Sequence, residues 1–173
     1  FAVLGLVALS AMLVLQISLY REMIKIIEPS RAELLGIVAL KPLNRLVQAM
    51  QQHRGLSSGV LNGNEALKDE RAAKEKDVDK ALKTTEAAMP ADLVTGKAWK
   101  GLLAEWAQIK ADGLSWTGVE SFSRHTALIE SVLTFMIDVA DATSLTVDPD
   151  IDSYYLIDTV MSKAPVALER LGQ

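Results

Sequence analysis

The stretch QQHRGLSSGVLNGN, residues 51–64, closes one helical seam and holds the first reversal of the chain. Upstream and through it, Leu40, Leu43, Val47, Met50, Arg54, Ser57 and Leu61 alternate at spacings of three and four, the period of a helix face that packs against another helix. Asn62, Gly63 and Asn64 then supply turn chemistry, because Gly and Asn tolerate the positive φ at which helices end. The reading is a helical hairpin about Gly63. Within its first arm, Arg54 stands where a core leucine belongs, with His53 and Gly55 beside it.

Downstream, the same period returns. A second helix is predicted over residues 65–89, with Leu67, Arg71, Lys74, Val78, Leu82, Thr85 and Met89 on one face, and Pro90 ends it. A third, over residues 96–111, carries Trp99, Leu102, Trp106 and Ile109. Asp112, Gly113 and the hydroxyl residues after them read as a loop. A fourth, over residues 119–145, buries Phe122, Ile129, Val132, Leu133, Met136 and Val139. TVDPD (residues 146–150) is a helix-start signal, with Asp148 as N-cap, Pro149 at the first helical position, and Asp150 and Asp152 favoured by the helix dipole. The fifth helix that follows shows a seam of Tyr154, Ile157, Met161, Ala164, Leu168 and Leu171. No strand alternation, low-complexity tract or nucleotide-type glycine loop competes, so the fold class is all-α, an antiparallel bundle of the four-helix type.

Upstream, FAVLGLVALSAMLVLQISLY (residues 1–20) contains no charged residue. About 20 apolar residues at about 1.5 Å rise span a hydrocarbon core of about 30 Å, which predicts an N-terminal transmembrane helix. A cleaved signal peptide needs a shorter apolar region, about 7 to 15 residues, followed by a small-residue cleavage site. Here the run meets Tyr20, Arg21, Glu22 and Lys25 instead. Pro29 is expected to break or kink the helix, Ser30 with Glu33 forms a capping box at which it restarts, and Pro42 adds a bend. The expected organisation is a membrane helix over residues 1–20 and a bundle over residues 21–173. An odd count of five helices leaves the last one running away from the membrane, so a sixth helix and a second membrane segment are expected to follow Gln173.

Composition narrows the function. The chain has 173 residues, 50% of them hydrophobic, with net charge −4, which argues against a basic nucleic-acid binder. It has no cysteine, hence no disulfide or thiol chemistry. Its two histidines lack His-x-x-x-His spacing, and Asp148, Asp150 and Asp152 lack the EF-hand pattern and glycine, so neither a metal nor a cofactor is expected. Nothing resembles a set of nucleophile, base and oxyanion hole, and no catalytic residue is assigned.

The arginines carry the chemistry. Arg54 lies nine residues before Gly63 and Arg71 eight after it, so an antiparallel hairpin brings both to about the same height, where the two are expected to converge. Two cations in a partly dry bundle repel and lose hydration, and either a bound anion or protein carboxylates must compensate. A guanidinium fork suits a small planar oxyanion. Gln51, Ser57 and Ser58 would add hydrogen bonds, and Gly55 and Gly59 permit close approach. The structural alternative has Arg71 solvated beside Asp69 and Glu70, and Arg54 reaching the surface or paired with an acid such as Asp141.

QQHRGLSSGVLNG, ERAAKEKDVDKAL and DPDIDSYYLIDTV together resemble the periplasmic sensor regions of bacterial methyl-accepting chemotaxis proteins and related membrane sensor kinases. The first two segments are also similar to the nitrate- and nitrite-sensing (NIT) domain, whose pattern has an Arg-Gly pair in one helix and an Arg followed by an acidic residue and Ala-Leu in the next. The resemblance implies a homodimeric receptor of the bacterial inner membrane, its bundle in the periplasm. It implies no enzymatic activity, and binding of a small anion such as nitrate or a carboxylate, relayed to a cytoplasmic signalling region. Arg54 and Arg71 match the positions that would face the anion. His53 stands where the NIT pattern has an acidic residue, which leaves both nitrate and other small anions open. The alternatives are the input domain of a sensor histidine kinase or diguanylate cyclase, and a structural bundle that binds no small molecule.

Overall fold

The computed structural model describes residues 1–143, 145, 159 and 163–172. Helix α1 runs over Ala2–Leu61, α2 over Lys68–Ala88 after a 3-10 turn at Glu65–Leu67, and α3 over Ala91–Thr95. Helix α4 covers Lys97–Asp112, α5 Gly118–Ala142 and α6 Ala164–Leu171, and there is no strand among the described residues. The all-α expectation holds.

The hairpin forms where Gly63 demanded it. Gly63 has φ 92°, its N–H donates to the Val60 carbonyl, and the Asn64 N–H donates to the Gly59 carbonyl, each at 3.0 Å. These are the paired bonds of a Schellman stop, which satisfies the last carbonyls of α1 and needs a left-handed residue that glycine supplies without strain. At the start of α5, Thr117 Oγ1 accepts the Glu120 N–H at 3.1 Å and caps the first turn.

Helix α1 corrects the expected punctuation. It is one helix of 60 residues, about 90 Å long, uninterrupted at Pro29 and Pro42, so no restart occurs at Ser30. A proline removes one rung of the ladder at a cost of about 3 kcal/mol or more. At Pro42 that rung lies in a segment packed on two sides: Pro42 is itself buried, and so are Leu40, Leu43, Leu46 and Val47. Ala2–Lys25 has a mean hydropathy of 2.3 and no buried share, and it is long and apolar enough to cross a membrane. A second correction is the short helix α3, where a connection had been expected between the second and third helices.

Helix α1 is the centre of the bundle, with α2 on one side and α5 on the other, and α4 packs on α5. The core is built from the predicted faces: Leu43, Val47 and Met50 of α1, Val78 and Leu82 of α2, Trp99, Leu102, Trp106 and Ile109 of α4, and Ile129, Val132, Met136 and Val139 of α5. Trp99 lies against Phe135 with ring centroids 5.6 Å apart. Trp106 Nε1 donates to Asp79 at 2.8 Å, which ties α4 to α2. Gly36 marks the closest approach of α1 to the end of α5, since a Cβ there would collide with the Thr143 and Leu145 side chains.

Most of the predicted fifth helix, including Asp148, Pro149, Tyr154, Ile157 and Met161, lies outside the described residues. Its last part is α6, and the predicted seam is turned: Ala164 is exposed and Leu168 is 64% exposed, while Pro165 and Glu169 face inward. The physical reason is an ion pair at Glu169, which draws the polar edge of α6 against the bundle.

Candidate anion site

Arg54 sits on the α1 face that meets α5 and α6, and it is 4% exposed. Its Nη1 donates to Thr126 Oγ1 at 2.8 Å and to Glu169 Oε1, and its Nη2 donates to Glu169 Oε2 at 3.3 Å and to the Gly172 carbonyl at 3.4 Å. The Phe122 ring covers one face of the guanidinium, 4.7 Å from Cζ to centroid. Glu169 is 2% exposed and also accepts Gln51 Nε2 at 2.8 Å. The carboxylate partner of Arg54 is therefore Glu169 of α6 and not Asp141. A fork-to-fork pair of this kind fixes both groups in a plane.

Arg71 comes from α2 on the opposite flank of α1, and it is 6% exposed. The alternative in which Asp69 and Glu70 keep it solvated is thereby corrected. Its Nε donates to Ser57 Oγ at 2.9 Å and its Nη1 to Glu75 Oε2 at 3.2 Å. Its Nη2 is buried with no hydrogen-bond partner among the described residues. An unpaired buried donor on a cation is costly, and an acceptor brought to it would be bound correspondingly well.

Between the two arginines stands a histidine pair that sequence spacing did not foresee. His125 Nδ1 lies 2.6 Å from the Ser121 carbonyl, which only accepts, so Nδ1 carries the proton and Nε2 is the acceptor. His53 Nδ1 then donates to His125 Nε2 at 2.9 Å, and His53 Nε2 is left as a buried acceptor with no hydrogen-bond partner among the described residues, 3.9 Å from Glu75 Oε2. The His53 ring also meets Trp106 edge-on, with centroids 5.0 Å apart. Burial, then the Arg71 charge, then His125 hold the His53 pKa down at about 3, against a weaker opposing pull from Asp79. Burial chiefly lowers that of His125; the Ser121 carbonyl opposes it, and both Arg71 and Arg54 add to it. Arg71 reaches Ser57, about one turn along α1 from Arg54, so the two guanidinium groups lie at about the same height, as the hairpin count predicted.

The pair makes stability depend on pH. Both imidazoles are neutral in the folded state and take up a proton on unfolding below pH 6.5, so their contribution is complete above 6.5 and is lost as pH falls. Asp79 does not intrude. Burial pulls its carboxyl up, but hydrogen bonds from Lys110 and Trp106 and the Lys110 and Lys83 charges outweigh that and leave its pKa below 3.8, so its contribution is lost only under still more acidic conditions. Urea unfolding of the chain between pH 6.5 and 4.5 is expected to show a loss of about 1.4 kcal/mol per pH unit from His53 alone. The His53→Gln protein should show a shallower slope; a wild-type stability that stays flat over this range would contradict the neutral pair.

The expected convergence of the two arginines is corrected: Arg54 is drawn to Thr126 and Glu169 and Arg71 to Ser57 and Glu75, so the five predicted residues divide into two groups. Gln51, Arg54 and Ser58 lie toward α5 and α6, and Ser57 and Arg71 lie toward α2. Ser58 lines a solvent-open groove of about 640 Å³ together with Asn62, Thr117, Phe122, Ser123 and Thr126. Two of these lining residues, Phe122 and Thr126, also touch Arg54. Sequence reasoning missed Glu169, Thr126, Phe122 and the histidine pair. Only Glu169 left a signal: in APVALERL it is the sole acid within an apolar helical run, the natural counterpart of a lone arginine in an apolar seam.

A sequence model of the NIT family, described as nitrate and nitrite sensing, matches residues 45–170, and the chain belongs to that family. Arg54, Arg71 and Glu169 all fall within the matched residues. No curated protein and no solved structure matched the chain.

Proposed function

We propose that the bundle is the ligand-binding input region of a membrane-anchored receptor, and that it senses a small planar oxyanion, nitrate or nitrite first, at Arg54 and Arg71. Gln51, Ser57 and Ser58 serve as hydrogen-bonding neighbours. The observation that carries this reading is the pair of buried guanidinium groups at about one height of the bundle, one of them with an Nη2 that has no partner among the described residues. A planar anion with two or three equivalent oxygens answers a planar fork of donors better than a spherical ion does. The family's sensing role supports the ligand class.

In this reading Ala2–Lys25 is the membrane segment and the rest of α1 carries the arginine layer about 40 Å beyond it. Ligand binding biases two packings of the bundle, and small shifts of α1 pass the change through the membrane. By the sequence resemblance, the bundle is periplasmic, the receptor is a homodimer in a bacterial inner membrane, and its output is a chemotaxis signalling region; a histidine kinase or diguanylate cyclase output is the alternative.

A second reading, a purely structural bundle, is favoured by one observation: Arg54 already has an internal carboxylate. Thermal unfolding of the full chain in nanodiscs, with nitrate, nitrite, acetate or chloride added, separates the two. Preferential binding to the folded state is expected to give a saturable rise in Tm with nitrate or nitrite, worth about 2.7 kcal/mol at a hundred times Kd. The Arg71→Lys protein keeps the charge but loses the fork, and its affinity should fall at least about tenfold. No shift with any anion, or an unchanged affinity in Arg71→Lys, would favour the structural bundle.

A further inference from the structure

We propose that Glu169 is an internal ligand of the anion site: its carboxylate occupies Arg54 in the ligand-free chain, and an incoming planar oxyanion replaces it and releases α6 from α1. The inference rests on the anion-sensing reading above and specifies what the ligand must displace and which anions succeed.

The geometry is that of a bound anion. Glu169 presents two coplanar oxygens to Nη1 and Nη2 of one guanidinium, and Gln51 Nε2 adds a third donor to Oε2 at 2.8 Å. A free nitrate, nitrite or carboxylate offers the same pair of coplanar acceptors and the same single charge. Exchange of one monoanion for another leaves Arg54 paired at both ends of the process, so the protein never holds an isolated buried cation. Thr126 Oγ1 and the Phe122 ring belong to α5 and stay with Arg54, and the groove that reaches them from solvent gives the newcomer its route. What leaves is α6, whose other contact with Arg54 is the Gly172 carbonyl just beyond its end.

Two consequences follow. Apparent affinity equals intrinsic affinity reduced by the fraction of molecules in which Glu169 is detached, so Glu169 sets the concentration at which the site responds. An anion that cannot offer two coplanar oxygens, such as chloride, replaces one fork contact only and competes poorly.

Sodium nitrate titrated calorimetrically into the full chain in nanodiscs tests this with wild type, Glu169→Gln and Arg54→Lys, which keeps the charge but loses the fork. Glu169→Gln removes the competing charge while keeping size, and nitrate should bind it at least about tenfold more tightly than wild type. Equal or weaker binding to Glu169→Gln, with binding lost in Arg54→Lys, overturns the internal ligand and leaves the anion site standing. Wild-type affinity in Arg54→Lys overturns the site at Arg54 and this inference with it. A second measurement leaves Glu169 in place: the chain has no cysteine, so spin labels at Gln52→Cys and Arg170→Cys report the separation of α1 and α6 directly. Saturating nitrate should lengthen or broaden that distance, and a distribution unchanged by nitrate overturns the release of α6.

Discussion

The Arg54→Ala protein is expected to lose about 3–5 kcal/mol of stability, because truncation takes the guanidinium away from the buried Glu169 carboxylate. The same argument applies in reverse to Glu169→Ala, which strands Arg54 under Phe122. The two losses should not add. Once one partner is gone, removal of the other relieves an uncompensated charge, and the coupling energy should reach about 1–3 kcal/mol. Arg54→Met combined with Glu169→Leu, which fills the space with apolar atoms, should approach wild-type stability, since buried ion pairs are often replaceable in this way. Chemical denaturation of the full chain in mild detergent, followed by helical circular dichroism, measures all four proteins. A loss below about 1 kcal/mol in Arg54→Ala would mean a solvent-screened pair.

Trp99→Ala should be about as damaging, at about 3–5 kcal/mol, through a different mechanism. Trp99 is fully buried, it packs on Phe135, and its removal leaves a cavity at the α4–α5 contact that rigid helices close only in part. The informative comparison is Trp99→Phe. The indole Nε1–H is buried with no hydrogen-bond partner among the described residues, so phenylalanine removes that donor while keeping most of the ring. Its loss should stay under about 1.5 kcal/mol. The same denaturation measurement decides, and similar losses for Ala and Phe would show that the indole's outer ring, and not cavity volume, dominates.

The bundle was legible because its period is strong and its punctuation local. The seam from Leu40 to Ser57 is buried as predicted, Gly63 adopts the positive φ that the turn required, and counting from it put Arg54 and Arg71 at about one height. The failures have a common origin in tertiary packing. Pro29 reads locally as a break or kink and Pro42 as a bend, yet the helix runs on past both. The α6 seam placed apolar residues inward, yet an ion pair outweighs apolar burial on a helix of 8 residues and turns Leu168 to solvent. The histidine pair joins residues 72 apart, a distance that only the α1–α5 contact closes, and no local period announces it. The site was legible as a pair of arginines and illegible in its carboxylates, because a residue's partner is chosen by the fold after its neighbours have chosen the helix.

An unbroken α1 also locks the rotational phase of its two ends. Each residue added between the apolar segment and the bundle would turn one against the other by about 100° and separate them by about 1.5 Å, while a seven-residue insert restores the phase to within about 20°. Residues 26–39 of α1 therefore act as a phase ruler: their number, more than their identity, decides which side of the apolar segment faces the same way as Arg54.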